Sequence, residues 1–206
     1  MIPAYDSLLF DFDGVLADTE PIHWACWVET LAPLHIELPW DTYRANCIGV
    51  ADRDMLGFLA SLAPRPLAVD SLWPHYAAKK ELLRRRLEEA TPCPVETIDL
   101  IGSLGGAYRL AVVTSSGRDE VEPVLVRAGI RPHFAALVFG EDVERHKPAP
   151  DPDLLAAARL GAKRPLVVED SDAGVASARS AGFDVARVVS AEEVARVVRA
   201  RLEGCA

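Results

Sequence analysis

The stretch Ser7-Leu8-Leu9-Phe10-Asp11-Phe12-Asp13-Gly14-Val15 decides how this chain is read. Its apolar run, Leu8-Leu9-Phe10, has the character of a strand buried on both faces, as in a parallel sheet. Two carboxylates at i and i+2 follow at once. Acids just past the carboxyl end of a strand stand where open α/β sheets place their ligands. Gly14 allows the backbone to turn sharply and to approach a ligand closely. The Asp-x-Asp pattern by itself says little, because it recurs at Asp52/Asp54, Asp151/Asp153 and Asp170/Asp172. The strand before and the glycine after are what set Asp11 and Asp13 apart.

Outward from this stretch, strand-like apolar runs recur at 110–113, 137–139, 166–168 and 185–189, with helical stretches at 119–128, 151–160, 173–181 and 192–202. This alternation predicts an α/β fold, a Rossmann-like parallel sheet with helices on both faces. Gly129, Gly161 and Gly182 each stand where a helix C-cap is expected. Residues 17–86 lack the rhythm. They read as mostly helical, are broken by Pro33, Pro39, Pro64, Pro66 and Pro74, and hold all four tryptophans, Trp24, Trp27, Trp40 and Trp73. Asp18 or Thr19 would cap the first helix, with Pro21 in its opening turn. The segment is therefore expected to be a helical cap domain inserted after the first strand, with the tryptophans packing its core. The chain would return through Thr91-Pro92-Cys93-Pro94. The expected division is 1–16 with 87–206 for the α/β domain and 17–86 for the cap.

The 206 residues are half hydrophobic, enough for a sizeable core, and carry a formal net charge of −9. That balance argues against nucleic acid as a partner, since no positive field attracts a phosphate backbone. Cys26, Cys47, Cys93 and Cys205 are scattered, the pattern of reduced thiols in a cytoplasmic protein. No basic region followed by a long apolar run opens the chain, and no stretch is long enough to span a membrane. A monomer or weak homodimer is the expected state.

Three further apolar runs end in polar groups. Val113 is followed by Thr114-Ser115-Ser116. Lys147 comes after the third run in Arg145-His146-Lys147-Pro148-Ala149-Pro150-Asp151. The fourth run ends in Glu169-Asp170-Ser171-Asp172. In a parallel sheet all four sets emerge on one edge. A site built from Asp11, Glu169 and Asp170 is strongly negative, and a hard divalent cation with oxygen ligands, Mg²⁺ by preference, would neutralise it and bridge to a phosphate. Lys147 adds a point charge, held out of the next helix by Pro148. Thr114, with nearby backbone N–H groups, can hydrogen-bond a phosphoryl oxygen. Ser116 can also cap a helix, and Ser171 and Asp172 read as helix caps.

Asp-Phe-Asp-Gly-Val-Leu-x-Asp-Thr at 11–19, with Lys147 in Lys-Pro-x-Pro-Asp and Glu169 opening Glu-Asp-Ser-x-Ala-Gly, resembles the haloacid dehalogenase-like (HAD) superfamily. The likeness is to its phosphatase and phosphomutase branch, in the β-phosphoglucomutase and phosphoglycolate phosphatase subgroup with a helical cap. The presence of Asp13 separates the chain from the dehalogenases. The resemblance implies that Asp11 is a nucleophile forming an aspartyl-phosphate, and that Asp13 is the general acid/base. It implies Mg²⁺ held by the Asp11 side chain, the Asp13 carbonyl and Asp170, with Glu169 a weaker or outer ligand. It also implies substrate contacts from Thr114, Ser115, Ser116 and Lys147, with His23 matching a histidine of the subgroup. The mutases carry an arginine three residues after the glycine of a cap Gly-Val pair. Here Gly49-Val50 is followed at that place by Asp52, with Arg53 one later, about 100° away on a helix, and Arg53, like His23, is kept as a candidate substrate contact. The expected activity is Mg²⁺-dependent hydrolysis of a small phosphate monoester, under a cap that closes over the site. A phosphomutase and a non-catalytic binder of phosphorylated metabolites are the alternatives.

Overall fold

The computed structural model describes residues 4–48, 50–90 and 92–204; Gly49 of the Gly-Val pair, Thr91 of the return segment and Cys205 lie outside the described residues. The described residues form two compact units, one within Met1–Asp18 and Ala90–Ala206, the other Thr19–Glu89. The Asp18 N–H donates to the Pro92 carbonyl at 2.9 Å, tying the chain leaving the first unit to the chain re-entering it.

Along the chain, β1 (Ser7–Phe10) is followed by four helices, α1 (Glu20–Leu31), α2 (Trp40–Asn46), α3 (Asp52–Ser61) and α4 (Trp73–Glu89). Then come α5 (Val95–Leu104), β2 (Arg109–Val113), α6 (Arg118–Arg127), β3 (Phe134–Val138), α7 (Asp151–Leu160), β4 (Pro165–Glu169), α8 (Asp172–Ser180), β5 (Asp184–Arg187) and α9 (Val194–Glu203). The five strands are all parallel, in the order β3-β2-β1-β4-β5. The first strand thus becomes the central one. Its Phe10 sits level with Val112 on one side and Val168 on the other. All four residues of β1 are buried, as a strand covered on both faces must be. Leu9, Ala111, Val138, Val167, Ala156 and Ala178 share one packed cluster that joins the sheet to α7 and α8. Each large apolar side chain so buried contributes about 1.5–3 kcal/mol.

Several boundaries differ from the sequence reading. β3 starts at Phe134 and ends at Val138, not at 137–139, because the pairing with β2 recruits two alanines of low strand propensity. β5 runs over Asp184–Arg187, and Val189, expected inside it, is 85% exposed. The helix α5, with Gly102 in its interior, has no counterpart among the expected helices. Thr19 takes the N-cap position of α1 but makes no capping hydrogen bond with its side chain. Gly161 caps α7 in the left-handed region, φ +61, as its position implied. Gly129 and Gly182 each follow a capping alanine, at φ +74 and +81.

The helical unit has its own core, in which Trp27, Leu31, Leu56, Leu59 and Leu72 are buried. Trp24 and Trp40, edge to face with one another, pack against it, and the Trp24 indole N–H donates to the Leu38 carbonyl at 2.8 Å. Trp73 lies at its surface, edge-on to Tyr76.

Candidate active site

The carboxyl ends of β1, β2 and β4 and the segment before α7 deliver their polar residues to one place. The Lys147 ammonium is the hub. It donates to Asp11 Oδ1 at 2.8 Å, to Glu169 Oε1 at 2.6 Å and to the Val113 carbonyl at 2.8 Å, so all three of its protons are used. Its side chain is only 6% exposed. Burial alone would lower its pKa, but the two adjoining carboxylates outweigh that and hold it firmly protonated. The Lys147–Pro148 peptide is cis.

Asp11 is positioned by its backbone N–H, which continues the sheet ladder to the Val168 carbonyl at 3.0 Å. Its carboxyl is pushed well up, first by burial and then by the charges of Glu169 and Asp13; Lys147 opposes the shift. Asp13 lies in the turn beyond, half-buried, and its Oδ2 accepts the Ser116 hydroxyl at 2.6 Å. Ser116 therefore bonds a carboxylate instead of capping α6, whose N-cap is Gly117 without a side-chain bond. Thr114 is buried, its N–H is bonded to the Val138 carbonyl, and its Oγ1 accepts the Ser116 N–H at 3.0 Å. Ser115 between them is exposed.

Glu169 and Asp170 divide their work. Glu169 is 1% exposed; Oε1 takes Lys147, and Oε2 accepts both the N–H and the hydroxyl of Ser171, at 2.9 and 3.0 Å. Ser171 meanwhile caps α8 by accepting the Gly174 N–H. Asp170 makes no hydrogen bond to another described residue. Burial, then the neighbouring Glu169 charge, push its pKa to about 6.

Two glycines make room for these acids. A Cβ on Gly14, at φ +74, would lie 2.2 Å from Asp170 Oδ2, and one on Gly174 would lie 1.6 Å from Glu169 Oε1. Asp11, Glu169 and Asp170 each present a carboxylate oxygen, all within 4.8 Å of one another. Asp13 adds a fourth acid whose charge reaches Asp11 and Asp170. The donor set is all hard oxygen, the deficit is of positive charge, and Asp170 and Asp11 keep unshared oxygen. A small divalent cation fits these residues. Glu169, with both oxygens engaged, suits the role of orienting Lys147 better than that of direct ligand.

His23 and Arg53 belong to the helical unit. His23 lies on α1, where its Nδ1 is 2.9 Å from the buried Lys79 ammonium, itself above the Trp27 ring. Arg53 is exposed on α3, 3.6 Å from Asp70, while the preceding Asp52 accepts the Tyr76 hydroxyl at 2.9 Å. The site also uses groups outside the expected set. These are the Val113 carbonyl and Ser171, which the sequence marks only as a helix cap. A strand-end carbonyl leaves no mark in sequence.

A strand-end carboxylate, a neighbouring acid, a fixed lysine and an acidic pair gathered at one edge of a parallel sheet are the groups a phosphoryl-handling hydrolase requires. The comparison with known families agrees. The model of the haloacid dehalogenase-like hydrolases matches residues 8–188, and the chain belongs to that family, as an enzyme of its phosphatase type. It is 35% identical over 196 residues to the fructose-1-phosphate phosphatase YqaB of Escherichia coli (strain K12), covering 91% of this chain and 98% of that one. It is 28% identical to the phosphorylated carbohydrates phosphatase of Thermotoga maritima, over 87% of this chain and 82% of the relative. The crystal structure of CbbY from Rhodobacter sphaeroides in complex with phosphate superposes with a TM-score of 0.72 at 28% identity, covering 89% and 85% of the two chains.

Proposed function

We propose that the protein hydrolyses a small sugar phosphate, with Mg²⁺, through a phospho-aspartate at Asp11. The observation that carries this reading is the Lys147 ammonium bonded to both Asp11 and Glu169, with Asp170 left unshared beside them. An all-carboxylate edge repels an anionic ester, and this chain supplies one fixed cation to offset it. Asp11, Asp170 and the Asp13 carbonyl, with Glu169 further out, would hold the metal. When bound, Mg²⁺ supplies the positive charge that lets a carboxylate approach a phosphoryl group.

The protein's own residues then divide the reaction. Lys147 fixes Asp11 Oδ1, which leaves Oδ2 as the attacking oxygen. Its lone pair forms the bond to phosphorus while the bond from phosphorus to the sugar oxygen breaks. Asp13, oriented by Ser116, delivers a proton to that leaving oxygen. As a carboxylate it then takes a proton from water, whose oxygen bonds to phosphorus as the Asp11–phosphorus bond breaks, releasing inorganic phosphate. The Thr114 hydroxyl and the Ser115 N–H are assigned to phosphoryl oxygens, while the Ser116 N–H is given to Thr114 Oγ1 and fixes that side chain. Selectivity among esters is assigned to the helical unit, with His23 and Arg53 as the residues to vary.

The names of the two phosphatase relatives favour a phosphorylated carbohydrate as substrate. Phosphatase is preferred to phosphomutase because Asp52, bonded to Tyr76, occupies the place of the mutase arginine. The excess negative charge and the free buried thiols of Cys26, Cys47 and Cys93 favour a cytoplasmic enzyme acting on a metabolite, without nucleic acid. No helix among the described residues is long and apolar enough to cross a membrane. A screen of sugar phosphates for phosphate release, with and without chelator, tests the reading. Release that chelator abolishes is expected. Turnover indifferent to chelator, or isomerised sugar phosphate without free phosphate, would overturn it.

A further inference from the structure

The inward stripe of α7 is apolar except at one position. Asp153 lies in line with Ala156, Ala157 and Leu160 on the buried face, and is itself fully buried. Its Oδ1 has no hydrogen-bond partner. Its Oδ2 lies 2.5 Å from the Ser177 hydroxyl, on the buried face of α8. That same hydroxyl lies 2.7 Å from the carbonyl of Ala149, two residues after Lys147.

Proton counting decides how these contacts are made. A serine has one proton to donate, and a backbone carbonyl can only accept. The Ser177 proton therefore goes to Ala149, and the proton in the 2.5 Å contact belongs to Asp153. An ionised Asp153 would bury a charge with one oxygen unpaired, which a dry interior strongly disfavours. Burial is the largest influence on this carboxyl and pushes it up. Across the packing, Glu169 adds to that shift; a serine proton turned towards the carboxylate, and the Lys147 charge, oppose it without reversing it.

We propose that Asp153 is a neutral carboxylic acid that, through Ser177, holds the Ala149 carbonyl and so positions the segment carrying Lys147. It is a positioning residue, since it touches neither Asp11 nor the reacting atoms. The Asp153 O–H donates to Ser177 Oγ, which orients the serine proton towards Ala149. Without that donor the serine hydroxyl turns to carbonyls of its own helix, and the loop between β3 and α7 loses its tie to α8. The proposal extends the role given to Lys147 above, and its tests are chosen to stand apart from the reaction.

Infrared difference spectra between the wild-type protein and D153N at neutral pH are expected to show a protonated carboxylic acid in the wild type alone. The Tm of D153N should rise relative to wild type as pH increases above the ordinary carboxylate range. The folded wild type must hold a proton that its unfolded chain releases, and the amide need not. The assigned Lys147 ammonium resonance should shift in S177A. Both S177A and D153L should lower kcat several-fold, with the double variant no worse than either, and D153N should rescue kcat relative to D153L. No carboxylic acid band, or a Tm difference flat with pH, would overturn the neutral acid. An unmoved Lys147 resonance in S177A would overturn the positioning role. Should the wild type release no phosphate from any ester, the reaction assigned above fails, while the band and the resonance still decide this proposal.

Discussion

The sheet edge of one unit and the helix α4 of the other treat charge in opposite ways. At the edge of the sheet, Lys147, Asp11 and Glu169 are bonded together and withdrawn from solvent, and the half-buried Ser116 and Asp13 are bonded to each other. On α4 of the helical unit, Arg84 and Arg85 meet Glu81 and Glu88 in exposed pairs one turn apart. The first arrangement is bought with burial, so each member depends on the others. The second is screened by water, and each pair is worth little. Charge of the same kind is therefore structural and chemical at the sheet edge and nearly neutral along the exposed face of α4.

The difference can be broken most severely at Asp11. Asp11→Asn should lower phosphatase kcat on the order of 10⁴-fold or more, measured by phosphate release, because the proposed nucleophile has no substitute. Asp13→Asn should cost about 10²–10⁴-fold while Mg²⁺ and phosphate binding, followed by calorimetry, stay nearly intact. Loss of metal binding there would contradict the carbonyl-ligand role.

Lys147→Ala should destabilise the fold by about 3–5 kcal/mol in urea titration, because it leaves buried carboxylates uncompensated. Arg84→Ala, its counterpart on α4, should change stability by under about 1 kcal/mol. Equal losses at the two positions would erase the contrast.

Asp170→Asn sharpens the comparison in the other direction. The folded carboxyl titrates at about 6, above its ordinary value of 3.8. Between those values the folded state binds more protons than the unfolded, so this acid's contribution to stability falls as pH rises through the window. In chelator, Asp170→Asn should therefore be more stable than wild type above pH 6, by about 2–4 °C in Tm, with the difference closing towards pH 4. The same variant should raise the Mg²⁺ requirement, read from the concentration giving half-maximal activity. A site acid that destabilises the metal-free fold is the signature of a place built for a cation.

How much was legible follows the same divide. β1, β2 and β4 are uninterrupted apolar runs, and a residue at the end of a parallel strand has its place fixed by the sheet. Asp11, Thr114, Glu169 and Asp170 could thus be brought together from sequence. Lys147 comes from a loop, and its place after the third run, its proline-rich setting and the charge deficit of the acids singled it out. β3 was blurred because Ala135 and Ala136 carry little strand signal, and α5 because Gly102 interrupts it. In the helical unit, a helix surface offers many equivalent positions to a cation, and nothing in sequence distinguished the exposed Arg53 from the buried Lys79. Asp153 was passed over as one more Asp-x-Asp. The signal was present nonetheless, an acid at position i of an i, i+3, i+4, i+7 apolar stripe, with Ser177 on the matching stripe of α8.

The central place of β1 bears on how the molecule comes into being. The strand made first pairs on one side with residues from 109 and on the other with residues from 165. Emerging from a ribosome, it must wait for most of the polypeptide before either edge is covered. Its sheet is assembled from distant contacts, which makes for slow folding and a long-lived exposed apolar segment, 7–10, that chaperones would be expected to shield.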